Sequence, residues 1–209
     1  STRAELLRYG VRDVAVIPQA IDVAPVGELR DPSGPLRVIV IGRLTPAKFV
    51  EEALRVFERV QRRHPDARLE VVGGGDEHYR ARLEALGRRL GLDGVTFHGR
   101  VSHDRKRALL VAAHVHLFTS HREGWGLTVS EAAAVGTPSV GYDAPGVRDS
   151  IANPRLLAPI GDVDTLAARL LALMEAPPSE RDAIRREAWE RARALSWERT
   201  TNAFEAAVA

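Results

Sequence analysis

The sequence predicts an α/β fold, in which a mostly parallel sheet is covered by helices on both of its faces. Short β-branched or apolar runs alternate with longer segments of helical periodicity, and Gly, Pro or Asp flanks most of the short runs. Strands and helices in this order form parallel sheets, because each helix returns the chain to the same end of the sheet. With 209 residues, 44% of them hydrophobic, the chain is long enough to bury a large core.

Local signals define the elements in order. Thr2 and Glu5 form a capping-box pattern, which predicts a short opening helix that Gly10 ends. Residues 18–35 are rich in Pro, Gly and Asp and form a candidate hinge. Strands are predicted at residues 14–17, 36–41, 69–72, 95–97, 115–118, 139–142 and 155–158. Helices are predicted at residues 49–63, 77–90, 103–112, 126–135, 163–175, 179–195 and 197–208.

The composition excludes several classes of protein. Thirty Lys and Arg against 28 Asp and Glu leave a net charge of +2, which argues against a surface built for nucleic acid. The absence of cysteine excludes disulfide frameworks, thiolate metal sites and cysteine nucleophiles, and is compatible with a reducing cytoplasm. No apolar run approaches the roughly 18 residues of a membrane span. The chain begins at Ser1 without a signal-peptide pattern, so we expect a fragment of a longer protein.

Ligands bind at the carboxyl ends of the strands in such sheets, so the loops there are the candidate sites. In residues 42–48, Thr45 is a plausible N-cap and Pro46 the first helical residue, which puts Lys48 in the first helical turn. A cation there opposes the helix dipole, unless a bound phosphate lies between it and the amides. Lys48 and Lys106 are the only lysines of the chain. The alternatives are a surface lysine offset by neighbouring acids, and an Arg43 that pairs with an acid.

Two other loops carry weaker signals. Residues 73–75 are three glycines, which permit close approach to a ligand but also form ordinary turns, and Asp76 after them is a candidate N-cap. The loop at residues 142–149 contains Pro and Gly and is able to close over a ligand, but none of its residues is specific.

Residues 121–131 are the most informative segment. Glu131 is the only charged residue between Leu127 and Tyr142, in a helix that is apolar on nearly all sides and is therefore predicted to be buried. No Arg or Lys lies within one turn of it, so this carboxylate needs a partner from elsewhere. The hydroxyls of a ribose serve as one such partner, and a distant Arg or backbone amides as another. A glutamine at this position is expected to be tolerated or even to stabilise the fold. Glu123, ahead of the helix, is favourable there without any ligand.

The histidines are better explained by structure than by chemistry. His114 and His116 lie two apart on a predicted strand and share a face, but the sequence offers no third metal ligand beside them. His98 and His103 flank a predicted loop and are interpreted as loop residues.

Several motifs together resemble one enzyme family. These are Gly42-Arg43-Leu44 followed by Lys48, the segment Val-Thr-Phe-His-Gly at 95–99, Glu123-Gly124-Trp125-Gly126-Leu127 with Glu131, and Gly136-Thr137-Pro138. In this order they resemble the C-terminal, donor-binding domain of a retaining nucleotide-sugar glycosyltransferase of group 1 (family 4). The two glutamates enclose seven residues, as in the Glu-x7-Glu signature of that family. The resemblance covers residue 14 to the end.

The resemblance implies a role for each matching residue. Arg43, Lys48 and Glu123 would be catalytic: the two cations would hold the diphosphate, and Glu123 would lie against the donor sugar. The implied donor-binding residues are Gly42, Gly74, Gly99, Arg100, Val101, Gly124, Trp125, Gly126, Leu127, Thr128 and Glu131. Of these, Glu131 would bind the ribose and the loop at 99–101 would border the base. No cofactor and no metal site of the Asp-x-Asp type are expected, so the cations would replace a divalent ion.

The resemblance also implies a Rossmann-like fold, the C-terminal half of a GT-B fold. Residues 1–13 would be the tail of a missing N-terminal acceptor domain, residues 14–196 the domain that binds a UDP- or GDP-linked sugar, and residues 197–209 a helix returning toward the missing domain. The protein is expected in the cytoplasm, with any peripheral membrane contact made through the missing domain. The chain departs from the family pattern at Gln19-Ala20, where an Asn-Gly pair is usual, at Phe49, where Gly is usual, and at Trp125, where Phe is common.

Two other functions remain alternatives. Gly124-x-Gly126 follows a predicted strand and precedes Asp143, a spacing found in NAD-dependent oxidoreductases, although Val129 replaces the third glycine of that motif. The other alternative is a nucleotide- or sugar-binding module without catalytic activity.

Overall fold

The computed structural model describes residues 2–17, 19–29 and 31–208, and within these ranges six strands form one parallel sheet between two layers of helices. The predicted fold class is confirmed. The strands are β1 Arg37–Ile41, β2 Arg68–Val72, β3 Val95–Gly99, β4 Val115–Phe118, β5 Ser139–Tyr142 and β6 Leu157–Ala158. Their order across the sheet is β3-β2-β1-β4-β5-β6, and every neighbouring pair is parallel.

The helices cover both faces of this sheet. They are α1 Thr2–Arg8, α2 Val50–Arg63, α3 Glu77–Arg89, α4 His103–Ala112, α5 Leu127–Ala134, α6 Val147–Ile151, α7 Val163–Glu175, α8 Pro178–Arg193 and α9 Trp197–Val208. In β1, Val38 and Val40 pack into a core with α2, α3 and α7, whereas Ile39 and Ile41 pack into a second core with α4, α5 and α8. Successive strand residues point to opposite faces, so a strand that is buried on both faces is apolar throughout.

The predicted strand at residues 14–17 is wrong. This segment has no regular structure, and its Val16 side chain is 63% exposed. A β-branched sequence forms a strand only where another strand supplies hydrogen-bond partners. The described sheet consists of β1 to β6, with β3 and β6 at its edges, and none of these strands pairs with residues 14–17.

The elements near the end of the sheet also differ from prediction. Only two residues of the predicted strand at 155–158 pair with β5, because Asn153 accepts a hydrogen bond from the Arg155 amide and Pro154–Leu156 form a 3-10 turn. Helix α6 was not predicted, since five residues are too few to show a helical period. The other predicted strands and helices begin and end within two residues of the observed ones.

Candidate functional site

The pocket that contains most of the predicted site residues lies at the centre of the sheet. After β1 the chain crosses toward β2, and after β4 it crosses toward β5 on the other side, so the loops that follow β1 and β4 separate and leave a crevice. An open pocket of about 460 Å³ lies there. It is lined by Gln19, Ile41, Gly42, Arg43, Thr45, Lys48, Phe118, Glu123, Gly124, Trp125, Gly126, Leu127 and Thr128.

The loop after β1 is not built as predicted. Thr45 precedes a 3-10 turn, Pro46–Lys48, and its side chain makes no capping hydrogen bond. Phe49 adopts the left-handed conformation (φ 49°, ψ 43°), and α2 begins only at Val50. Lys48 therefore does not lie in the first turn of α2, because the left-handed residue separates the two helical segments.

Lys48 forms an ion pair with Glu123 across the pocket. The side chains are 31% and 17% exposed, so the pair is shielded but still accessible from the pocket. It joins the loop after β1 to the loop after β4. Glu123 was predicted to lie near a helix N-terminus or against a sugar. Its partner in the structure is Lys48, another of the three predicted catalytic residues. Arg43 is exposed at the pocket, and no ion pair with it is found among the described residues.

The two acids that follow Lys48 do not neutralise it. Glu51 accepts a hydrogen bond from the Tyr79 hydroxyl, and Glu52 Oε2 lies 3.1 Å from His121 Nε2. Burial, and then the hydrogen bond to Glu51, raise the pKa of Tyr79, so its hydroxyl remains a donor. The alternative of a surface lysine offset by its neighbours is therefore not what the structure shows.

Helix α5 points its N-terminus at the same pocket. Gly126 is its N-cap, with φ 85°, a conformation that glycine adopts without strain. Leu127 and Thr128 line the pocket, and the first amides of a helix have no intrahelical acceptor. Trp125 Nε1 donates to Ser130 Oγ (3.0 Å), which holds the indole against this helix. The pocket thus contains two cations and the positive end of a helix dipole.

Glu131 has a partner that the sequence analysis did not identify. Lys106 Nζ, on α4, binds both carboxylate oxygens of Glu131 at 2.7 and 2.8 Å. The two side chains are 18% and 13% exposed, so the pair is largely buried. Glu131 therefore does have a partner from a distant part of the chain, as expected, although it is a lysine and not an arginine or a backbone amide. The prediction that this buried carboxylate is unpaired within the protein is wrong. The signal that could have identified Lys106 is the small number of lysines. The chain has only two, and each pairs with one of the two motif glutamates.

The glycine run after β2 serves the protein chain itself. A Cβ on Gly73 would lie 1.8 Å from the Gly42 carbonyl oxygen, and one on Gly75 would lie 2.2 Å from that of Leu44. The Leu44 amide donates to the Gly74 carbonyl at 2.9 Å. These glycines therefore allow the loops after β1 and β2 to pack against each other.

The remaining predicted donor-binding residues lie outside the pocket lining. Gly74 follows β2, Gly99 is the last residue of β3, and Arg100 and Val101 follow it, all at the carboxyl ends of the strands. Glu131 lies further along α5. Arg100 is exposed and packs beside Gly74.

His98, His114 and His116 make polar contacts within the fold. His114 Nδ1 accepts from the Arg37 amide at 3.1 Å, and the fully buried His116 lies 2.9 Å from Ser139 Oγ. His98 is not a loop residue, because it belongs to β3 and lies 2.6 Å from Glu70 of the paired strand β2. His103 likewise begins α4. No group of three His, Asp or Glu able to hold a metal is found among the described residues.

One Asp-x-Asp pattern does occur, at residues 162–164, contrary to expectation. Asp162 accepts hydrogen bonds from the Thr165 amide and hydroxyl at the start of α7, and these lower its pKa. Asp164 forms an ion pair with Arg59 of α2. Neither carboxylate lines the pocket between β1 and β4.

Because His116 is buried, we expect the protein to lose stability in mild acid. Burial lowers its pKa to about 3, whereas the unfolded chain protonates it near pH 6.5. The contribution of neutral His116 to the free energy of unfolding is therefore complete above pH 6.5 and is lost as the pH falls toward 3. At pH 5 the loss is about 2 kcal/mol. Urea unfolding at pH 7.5 and pH 5 should show this difference. His116→Leu should lose much less stability over that interval than His78→Leu, which changes an exposed histidine on α3. Equal pH dependence in both variants would contradict the prediction.

Comparison with known proteins identifies the family. A family model described as "Glycosyl transferases group 1" matches residues 27–191. The chain belongs to this family. The match includes both loops of the pocket and both motif glutamates, so the resemblance found in the motifs is confirmed.

Individual relatives agree with this assignment. The glycogen synthase of Mycobacterium tuberculosis (strain ATCC 25618 / H37Rv) is 33% identical over 178 residues, which cover 83% of this chain and 42% of that protein. Sucrose-phosphate synthase from Thermosynechococcus elongatus matches 98% of this chain and 54% of its own, at 27% identity and a TM-score of 0.81. Anabaena HepE, solved with UDP and glucose, matches 83% of this chain and 48% of its own, at 21% identity and a TM-score of 0.74.

These matches have consequences for the fold and for the alternatives. The expected likeness to one half of a GT-B fold is confirmed. The chain spans less than half the length of the curated relatives it matches. The oxidoreductase alternative does not fit the topology, because its glycine motif follows the first strand of a Rossmann sheet, whereas Gly124 and Gly126 follow β4. None of the described helices has the length and apolar character that crossing a membrane requires.

Proposed function

We propose that these residues form the donor-binding domain of a glycosyltransferase, which transfers a sugar from a nucleoside-diphosphate sugar to an acceptor. The observation that carries this proposal is the pocket between the loops after β1 and β4, where Arg43, Lys48 and the N-terminus of α5 meet. A diphosphate is a dianion or trianion that such a set of donors binds well. The UDP and glucose bound by HepE, which has a similar fold, support the same class of ligand.

The proposed roles follow the charges in the pocket. Cleavage of the bond between sugar and diphosphate leaves negative charge on the departing phosphate. Arg43, Lys48 and the amides of α5 are aimed at that charge and stabilise it as it develops, which is electrostatic catalysis. Because the amides at the start of α5 are fixed before the donor binds, they also orient it. This arrangement would carry out the reaction without a metal ion, and the family resemblance implies retention of the anomeric configuration.

Each motif glutamate would contact a different part of the donor. Glu123 lines the pocket beside Lys48 and would lie against the sugar. Glu131 is deeper along α5 and would accept hydrogen bonds from the ribose hydroxyls, with Lys106 holding its carboxylate in place. The loop at 99–101 would border the base, at the edge of the sheet next to β3.

We expect the isolated chain to bind UDP, GDP or ADP weakly in EDTA and to transfer no sugar at a useful rate. The cations supply the binding, whereas the acceptor site would come from a domain outside these residues, since the match covers only 42% and 40% of two of the relatives. Calorimetry with each nucleotide, with NAD titrated in parallel, measures the first part, and an assay of sugar transfer measures the second.

The outcomes separate the candidate functions. Heat with a nucleoside diphosphate but not with NAD supports the donor site. No heat with any of the three diphosphates, or rapid transfer by this chain alone, would contradict the proposal. A complete protein that binds donor sugars but never transfers them would be the non-catalytic module.

A further inference from the structure

Phe49 is held in a conformation that its side chain does not favour. It lies between the 3-10 turn that carries Lys48 and the first residue of α2, with φ 49° and ψ 43°. Its amide donates to the Pro46 carbonyl at 3.0 Å, which closes the turn. A residue with a bulky side chain adopts this left-handed conformation only where surrounding contacts impose it.

The contact that imposes it is an aromatic stack. The rings of Phe49 and His121 are 3.5 Å apart between centroids and within 9° of parallel. His121 Nε2 lies 3.1 Å from Glu52 Oε2 on α2, and its ring forms a T-shaped pair with the buried Tyr142 ring on β5, with the centroids 5.3 Å apart. The stack thus joins the start of α2 to the loop after β4 and rests on the sheet.

The same loop fixes the other side of Lys48. The hydroxyl of the buried Thr119 donates to the Lys48 carbonyl at 2.9 Å, and Glu123 binds the Lys48 ammonium. Within five residues, the loop after β4 therefore contacts the carbonyl of Lys48, its side chain and the ring of the next residue. A lysine side chain is flexible, so the position of its ammonium depends on how firmly its main chain is held.

We propose that the Phe49–His121 stack positions Lys48 for the diphosphate, with Phe49 and His121 as positioning residues that do not touch the ligand themselves. This inference rests on the proposed function. Phe49 would act here in the conformation that a glycine adopts freely, and its ring would add a link between the two loops that a glycine lacks. Loss of the stack should leave the ammonium in several positions and weaken diphosphate binding through Lys48.

The chain allows a direct test, because Lys48 and Lys106 are its only lysines. Protein labelled with ¹³C at the lysine side chains gives two lysine ε-methylene signals, and Lys106→Arg assigns them. In His121→Ala the Lys48 signal should move toward that of a free lysine, while the Lys106 signal stays in place as the internal control. UDP affinity should fall by about 3- to 10-fold, the factor that corresponds to one aromatic pair.

Further variants separate positioning from general loss of structure. His121→Phe keeps a ring that stacks and should restore the Lys48 signal and most of the UDP affinity. Phe49→Gly removes the ring and the backbone strain together, so it should fold and still show the displaced Lys48 signal. In a Lys48→Ala background, His121→Ala should cause no further loss of UDP affinity, since the stack acts through Lys48.

Two results would overturn the inference, for different reasons. If UDP does not shift the Lys48 signal of the unaltered chain, the proposed diphosphate site fails and the positioning role fails with it. If UDP shifts that signal equally in the unaltered chain, in His121→Ala and in Phe49→Gly, with equal affinity, the proposed function stands and the positioning role is wrong. A loss of UDP affinity that persists in full in the Lys48→Ala background would likewise contradict it.

Discussion

Lys48→Ala should lower the affinity of the chain for UDP by about 10- to 100-fold, because a hydrogen bond to a charged group contributes roughly 1.5–3 kcal/mol. The structure adds a second reason. Removing the ammonium leaves the Glu123 carboxylate in the pocket without its partner, where it repels a diphosphate. Calorimetry in EDTA measures the loss, and thermal unfolding without ligand should change little by comparison.

Glu123→Gln should act in the opposite direction on diphosphate binding. In the free protein Lys48 is held by Glu123, so UDP has to compete with a carboxylate for the ammonium. A neutral amide removes that competition, and affinity for UDP should be retained or rise. The Lys48→Ala,Glu123→Gln double variant should then lose less affinity than Lys48→Ala alone.

A matched control tests whether the effect of Lys48→Ala on UDP affinity is local. Arg62→Ala removes one positive charge from the exposed last turn of α2 and should leave UDP affinity unchanged. Equal loss in Arg62→Ala and Lys48→Ala would show a general charge effect. Unchanged affinity in Lys48→Ala would mean that its pair with Glu123 is purely structural.

The second large effect is expected at Glu131. Glu131→Gln should weaken UDP binding by about 10-fold, because an amide replaces a charged double acceptor. If that acceptor serves the ribose, 2′-deoxy-UDP should lose much affinity with the unaltered chain and little with the variant. Calorimetry on the four combinations of protein and ligand gives the coupling directly. Additive losses would show that Glu131 does not contact the ribose.

The structure reverses one expectation for this variant. From sequence alone, a glutamine at 131 was expected to be tolerated or to stabilise the fold, as it removes a lone buried charge. Lys106 instead binds both oxygens of Glu131, so the variant leaves a largely buried ammonium without its partner. We expect Glu131→Gln to lower the free energy of unfolding by about 1–3 kcal/mol, between the values for exposed and for fully buried ion pairs.

Lys106→Gln provides the matched control. It breaks the same pair from the other side and should cost a similar free energy of unfolding, while the ribose acceptor remains. Its affinity should therefore still depend on the 2′-hydroxyl. Urea unfolding of both variants and of the double variant measures the pair energy. Full additivity of the two losses would show that the side chains do not interact.

Much of the candidate site could be predicted because its signals are local. The helix start at Gly126, the two glutamates that enclose seven residues and the cations after β1 are read from short segments, and the sheet topology then brings both loops to one crevice. Prediction failed where the decisive contact came from far along the chain. Lys48 and Glu123 are 75 residues apart, and Lys106 and Glu131 are 25 apart.

Sequence patterns were enough to predict most of the strands and helices, the apolar character of strands buried on both faces, and most of the residues that line the pocket. Three features could not be predicted in this way: which charges pair, the position of Phe49 between the 3-10 turn and α2, and the lack of a strand at residues 14–17. Periodicity and capping depend on neighbours within one or two turns, so they are visible in the sequence. An ion pair between two helices, a stacked pair of rings, or a partner for a strand depends on how distant segments pack, and that is settled only when the whole sheet is assembled.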